Sequence, residues 1–308
     1  MRDQPALVAV DWGTTSFRAY LAAADGAILD QVTNAKGILA VSGGRFADVL
    51  SEAALPWIKA HGKLPILMSG MIGSRQGWVE APYVRCPADL KAITARLSKI
   101  DVDDLGPVAL VPGLEARAAD GSPDVLRGEE TQVIGALATL DLRDGVFVLP
   151  GTHSKWITVK AGAITGFKTY MTGEVFAALK GHTILGRLMT PKGGNGAGLA
   201  KGLAAGSVAG SPGELLNRLF AVRTLGLFGE VPPPELSDYL SGLLIGAELA
   251  AGASGLKGGF TIVAGSDLSE RYAKGAQLLG LKAAAAPADC VVTGHLAIAR
   301  TAGLMGRT

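Results

Sequence analysis

Both halves of this 308-residue chain open on one pattern: a short apolar strand, a tight polar turn, then two further strands. That repetition restricts the fold more than any other feature. In the first half, Leu7–Val10 reads as a buried strand ending in Asp11, and Trp12-Gly13-Thr14-Thr15-Ser16 turns the chain. Phe17–Leu21 is a second strand, and Asp25-Gly26 makes a hairpin turn into a third at Ala27–Val32. In the second half, Val146–Leu149 leads into Pro150-Gly151-Thr152-His153-Ser154-Lys155, and strands follow at Trp156–Val159 and Ile164–Lys168. The first turn collects backbone N–H groups, hydroxyls and an acid at one point. Phosphate oxygens suit the donors, and a magnesium ion suits the acid. The same residues would also shape an ordinary hairpin; their recurrence favours the phosphate reading.

The remaining periodicities complete an α/β chain. A helix with Phe46, Val49, Leu50, Ala53, Ala54 and Trp57 on one face is expected over Arg45–His61. Strands at Pro65–Met68 and Val108–Val111 then alternate with helices from Pro87 to about Leu97 and from Glu129 to Leu140, giving βββαβαβα. The second half continues with helices at Glu174–Leu179, Pro212–Val222 and Pro234–Ala251. A strand at Phe260–Ala264, a helix at Asp267–Leu279, a strand at Leu281–Ala285 and a last helix from Ala288 to Met305 end it. Gly229–Pro234 and the glycine-rich Thr190–Gly206 read as irregular, the latter as a mobile connection. Two domains are expected, residues 1–143 and 144–308, with a cleft between the copies.

Composition excludes several classes. The formal charge of +2 gives no electrostatic reason to expect nucleic acid or an anionic membrane as partner. Cys86 and Cys290 follow no redox or metal spacing, and with four scattered histidines they suit a reducing cytoplasm. Met1-Arg2-Asp3-Gln4-Pro5 lacks the apolar run of a signal peptide, and the apolar helix around Tyr239–Gly252 is broken by Glu248. A soluble cytoplasmic protein is expected, with a homodimer left open.

There is no G-x-x-x-x-G-K-[ST] loop and no G-x-G-x-x-G after a strand. A third element, Thr261–Ala264 running into Gly265-Ser266-Asp267, is a strand that ends in glycine before a helix, a place for a base or sugar. The three elements together resemble the phosphate-1, phosphate-2 and adenosine motifs of actin-like ATPases. More narrowly, the chain resembles the 2-dehydro-3-deoxygalactonokinase family over nearly its whole length. Val10–Arg18, Ser69–Trp78, Arg127-Gly128-Glu129-Glu130-Thr131-Gln132, Leu149–Trp156, Thr169–Glu174 and Tyr239–Gly246 carry that likeness. It implies two ribonuclease H-like domains of βββαβαβα type flanking a nucleotide cleft. It also implies transfer of phosphate from ATP, with Mg2+, to the 6-hydroxyl of 2-dehydro-3-deoxy-D-galactonate.

Residue roles then follow from what phosphoryl transfer needs. Asp11 is the expected magnesium-linked acid. Gly13, Thr14, Thr15, Gly151, Thr152, His153 and Ser154 would hold phosphates, and Lys155 would either neutralise charge or sit as a strand-edge lysine. Gly265 and Ser266 would meet the adenosine. For the proton acceptor, Glu130 is preferred and Glu129 is second, although acids in a first helical turn also suit the helix dipole. Ser69, Gly70, Met71, Ser74, Arg75 and Gln76 would form the acceptor loop. Arg75 is expected to grip a carboxylate unless Glu80 engages it, and Trp78 either walls the pocket or joins the core. Lys36, Arg85 and Glu174 are weaker candidates. A kinase of another sugar or polyol, and an actin-like ATPase that assembles or switches, are the competing readings.

Overall fold

Leu7, Val8, Ala9 and Val10 are fully buried, as a strand covered on both faces requires. The computed structural model describes residues 4–191, 194, 196–287 and 289–305. Outside the described residues lie Met1-Arg2-Asp3, Lys192, Gly193 and Asn195 of the glycine-rich stretch, Ala288 where the last helix was expected to begin, and residues 306–308. The chain forms two compact units. One runs to Gly145 and also takes Thr158–Phe167 and everything from Pro287; the other holds Val146–Ile157 and Lys168–Ala286.

In the first unit, β1 (Pro5–Trp12), β2 (Phe17–Ala23) and β3 (Ile28–Asn34) form the expected antiparallel meander. Helix α1 (Phe46–His61) puts Phe46, Leu50, Ala53, Ala54 and Trp57 into the core against Val8, Val10 and Met68. Strand β4 (Ile66–Ser69) pairs parallel with β1.

The next segment departs from expectation. Tyr83–Arg85 forms β5, and the helix expected to reach Leu97 is only α2 (Leu90–Thr94), capped by the Asp89 carboxylate on the N–H of Ala92. The chain leaves α2 as β6 (Ser98–Val102), an edge strand antiparallel to β7 (Gly106–Leu110). Exposed Lys99 and Asp101 alternate there with better-covered neighbours, a two-residue period that pairing with β7 selects over helix. Strands β8 (Gly113–Arg117) and β9 (Pro123–Leu126) join β5 in a small separate sheet that sequence did not indicate, and α3 (Glu129–Thr139) follows. The main sheet runs β3-β2-β1-β4-β7-β6.

The second half of the chain opens with β10 (Gly145–Leu149), β11 (Ser154–Lys160) and β12 (Ala163–Tyr170), of which Thr158–Phe167 counts with the first unit, followed by α4 (Thr172–His182). The stretch expected to be irregular contains α5 (Ala197–Ser207). Helices α6 (Pro212–Leu227) and α7 (Pro233–Gly252), strand β13 (Phe260–Ile262), α8 (Ser266–Leu278) and β14 (Ala283–Ala285) complete it. Its sheet order, β12-β11-β10-β13-β14, matches β3-β2-β1-β4-β7 in the first unit, so the repeat seen in sequence extends to topology.

Helix α5 was hidden by its own glycines. Gly198, Gly202 and Gly206 recur every four residues and lie against α7, Gly198 at Glu235, Gly202 at Gly242 and Gly206 at Gly246. A Cβ at Gly202 would overlap the Tyr239 carbonyl oxygen, and one at Gly246 the Leu203 carbonyl oxygen. Two backbones in contact need this stripe, and packing outweighs the poor helix propensity of glycine. The last helix, α9 (Cys290–Thr301), packs on α3 in the first unit by the same device, with Gly135 and Gly294 meeting opposing carbonyls.

Candidate active site

Asp11 stands near the C-terminal end of β1, opposite Ser69 of β4 and Arg18 of β2. Its side chain is 12% exposed, and Arg18 Nη1 lies 3.3 Å from Oδ2. Burial raises its carboxyl pKa, while His295 and Arg18 oppose that shift. The fully buried His295 of α9 sits behind it, with Nε2 3.2 Å from the Val10 carbonyl oxygen. Thr14 and Thr15 are exposed on the turn, which closes through Gly13 N–H donating to Ser16 O at 2.9 Å.

Two glycines at positive φ bring the acids to this point. Gly70 has φ +93°, and a Cβ there would sit 2.7 Å from the Trp12 carbonyl oxygen and 3.4 Å from Asp11 Oδ1. Gly128 has φ +108°, and a Cβ there would sit 3.0 Å from Gly70 Cα. The start of α3 is therefore held against the β4 loop, beside Asp11.

The two glutamates differ in environment. Glu130 is fully buried; Oε2 accepts from Gly128 N–H at 2.7 Å and Oε1 from the Thr131 hydroxyl at 2.9 Å. Burial, with the charge of Glu129 adding, pushes its pKa up to about 7. Glu129 is half-buried and accepts from Arg127 N–H at 2.9 Å. Of the pair, Glu129 is the one that meets solvent.

The Ser69–Trp78 loop, expected to hold the acceptor, places its polar side chains in different settings. Ser69 is buried and its hydroxyl lacks a partner, while Ser74 spends its hydroxyl on the Met71 carbonyl at 2.7 Å. Arg75 is 85% exposed and paired with Glu80 at 3.3 Å, so the salt-bridge alternative is the one observed. Gln76 is exposed, and Trp78 packs on the core, stacked on Phe46. Lys36 pairs with Glu52 at 2.6 Å, and Arg85 is exposed on β5.

In the second unit, Gly151 is half-buried while Thr152 and His153 are exposed, and His153 pairs with Glu174. Ser154 and Lys155, expected at the phosphates with a strand-edge place as the alternative for Lys155, both engage protein groups with their side chains. The Ser154 hydroxyl is fully buried and donates to Glu248 at 2.6 Å, and buried Lys155 donates from Nζ to Thr169 Oγ1 at 2.7 Å. Glu248, which in sequence only interrupts an apolar helix, is a hub. Its carboxylate accepts from Ser154, from Trp156 Nε1 at 2.9 Å, from Tyr272 Oη at 2.6 Å and from Thr172. One acid thus fixes β11, the start of α4 and α8 to α7.

A cavity of about 320 Å³ lies beside that turn, lined by Gly151, Gly173, Asp238, Ser241, Leu268 and Arg271 among others. Arg271 donates to Asp238 at 2.7 Å across its wall. Gly265 and Ser266 are exposed at the start of α8. Asp238 and Arg271 had no sequence signal beyond their helices, and Ser241 only its place in the Tyr239–Gly246 likeness.

The sequence profile of the 2-keto-3-deoxy-galactonokinase family matches residues 11–298. The chain belongs to this family. A Rhizobium meliloti strain 1021 protein assigned as a 2-dehydro-3-deoxygalactonokinase is 38% identical over 306 residues, 96% of each chain. The Escherichia coli K12 2-dehydro-3-deoxygalactonokinase is 35% identical over 284 residues, covering 92% of this chain and 93% of that one. A Sinorhizobium meliloti crystal structure carrying the same assignment matches with TM-score 0.85 and 35% identity, over 96% of this chain and 98% of the other.

The family membership fits the ribonuclease H-like sheet order seen twice. In this 2-keto-3-deoxy-galactonokinase family chain no helix among the described residues is long and apolar enough to cross a membrane. Nor does any group of three or more His, Cys, Asp or Glu among them form a metal cage. Magnesium does not need one, since it binds through one or two carboxylates, phosphates and retained waters. A lone Asp11 at the mouth of a turn fits that chemistry.

Proposed function

We propose that the chain transfers the γ-phosphoryl group of ATP to the 6-hydroxyl of 2-dehydro-3-deoxy-D-galactonate. The observation that carries this reading is the meeting of Asp11, the Ser69–Gly70 loop and Glu129–Glu130 at one end of the first unit's sheet. An acid for the metal, a loop for the acceptor and a proton acceptor are what sugar phosphorylation requires.

Glu129 takes the proton of the acceptor hydroxyl as its oxygen bonds to the γ-phosphorus and the bond to the β-phosphate oxygen breaks, releasing ADP. Glu130 supports this from behind: its buried carboxyl keeps Gly128 N–H and the Thr131 hydroxyl fixed, and so fixes the first turn of α3. Asp11 would hold Mg2+, which when bound neutralises charge on the phosphates. Gly13, Thr14 and Thr15, on the turn that Asp11 opens, offer N–H and hydroxyl donors to the phosphates. The 320 Å³ cavity is assigned to the nucleoside, with Gly265, Ser266 and Arg271 at its edge.

The test is ADP release with MgATP against 2-dehydro-3-deoxy-galactonate, its gluco epimer, galactonate, xylulose and glycerol. Turnover confined to the 2-dehydro-3-deoxy sugar acids is the expected result. Turnover of a neutral sugar would keep the kinase and discard the acceptor, and ATP hydrolysis that no acceptor stimulates would overturn both.

A further inference from the structure

Arg127 is the last residue before Gly128, and only 7% of it is exposed. Its Nη2 donates to the Ala81 carbonyl at 2.8 Å, and the guanidinium lies 4.3 Å from the centre of the Tyr83 ring. Nε and Nη1 are enclosed and have no acceptor, and no carboxylate is paired with the group among the described residues. One carbonyl and one ring do not compensate a buried cation; an enclosed guanidinium with two unmade hydrogen bonds is costly unless an anion completes it.

The position of this cation is informative. A Cβ at Gly73 would lie 3.1 Å from Arg127 Nη1, so the guanidinium faces the Gly70–Gly73 loop. Ser69, which starts that loop, carries the other buried polar side chain without a partner among the described residues. Both orphans therefore flank the segment that Gly70 and Gly128 press against Asp11 and the glutamates. The exposed Arg75 is already neutralised by Glu80, so it is the poorer anion receptor.

We infer that Arg127, with the Ser69 hydroxyl, is the receptor for the carboxylate of the acceptor, which makes it the residue that selects a sugar acid over a neutral sugar. The inference rests on the kinase reading above and deepens it. Because both nitrogens are enclosed, the Gly70–Trp78 loop has to shift as the acid enters.

The experiment measures steady-state ADP release by wild type, Arg127→Gln, Arg127→Lys and Arg75→Ala. Each is given MgATP with either 2-dehydro-3-deoxy-galactonate or its primary amide, and thermal melting establishes that each variant is folded. Arg127→Gln is expected to raise the KM for the acid on the order of 100-fold, the usual effect of losing a buried charge pair. It should leave the KM for ATP unchanged and abolish the preference for acid over amide. Arg127→Lys should fall in between, and Arg75→Ala should match wild type. Folded Arg127 variants with a wild-type KM for the acid, or a large KM rise in Arg75→Ala, would overturn the assignment. If Arg127→Gln does not fold, Arg127→Lys and the wild-type acid-to-amide ratio decide, and a ratio near one overturns it. Wild type that turns over a neutral acceptor but not the acid would instead refute the sugar-acid acceptor of the reading above, and ATP hydrolysis that no acceptor stimulates would refute the kinase itself.

Discussion

Glu129 and Glu130 are adjacent acids in one helical turn with opposite environments, and each makes a separate prediction. Glu129→Gln removes the accessible proton acceptor, so kcat should fall about 10²- to 10⁴-fold with the acceptor KM little changed. A kcat within a few-fold of wild type would exclude Glu129 as the base. Glu130 titrates near 7 in the folded chain against an ordinary value of 4.5. An acid with a raised folded pKa destabilises the fold in its ionised form. Its stabilising share is intact below about 4.5 and is lost as pH rises through 7, on the order of 3 kcal/mol in all. Glu130→Gln should therefore gain stability relative to wild type at pH 8 and not at pH 5. Parallel melting curves for the two proteins across that range would show that burial does not control this group. Sequence could place both acids at the start of a helix but could not rank them, because rank depends on which side of α3 the rest of the unit covers.

At the scale of elements, the α5–α7 contact shows why composition misleads. A run dense in glycine reads as a connection, yet its four-residue spacing is a packing surface once a second glycine-bearing helix faces it. Gly202→Ala should destabilise by about 1–3 kcal/mol, because overlap with the Tyr239 carbonyl exceeds the gain in helix propensity. Gly181→Ala in α4, where a Cβ would meet nothing within 4 Å, should be neutral or stabilising by up to about 1 kcal/mol. Denaturant midpoints measure both; equal effects of the two substitutions would discount the packing argument. The other missed elements have a related cause. Strands β5, β6, β8 and β9 are short, and their pairing partners, not a strong local period, define them.

At the scale of the whole molecule, two units share one sheet order, and each contributes a polar turn after its first strand. If Asp11 holds the magnesium of MgATP, EDTA should abolish turnover and added Mg2+ should restore it, while ADP at 100 times its Kd should stabilise the fold by about 2.7 kcal/mol. Turnover that persists in EDTA would remove Asp11 from the metal. The chain's local pattern determined the two meanders, their turns, most helices and the glycine-to-acid motifs, because hydrophobic period and turn chemistry act over a few residues. Tertiary structure decided what those residues face. It turned Ser154 inward to Glu248, tied Arg75 to Glu80, sealed Glu130 and left Arg127 without a counter-charge among the described residues. Burial and partner choice depend on segments far apart in sequence, and no local pattern encodes them.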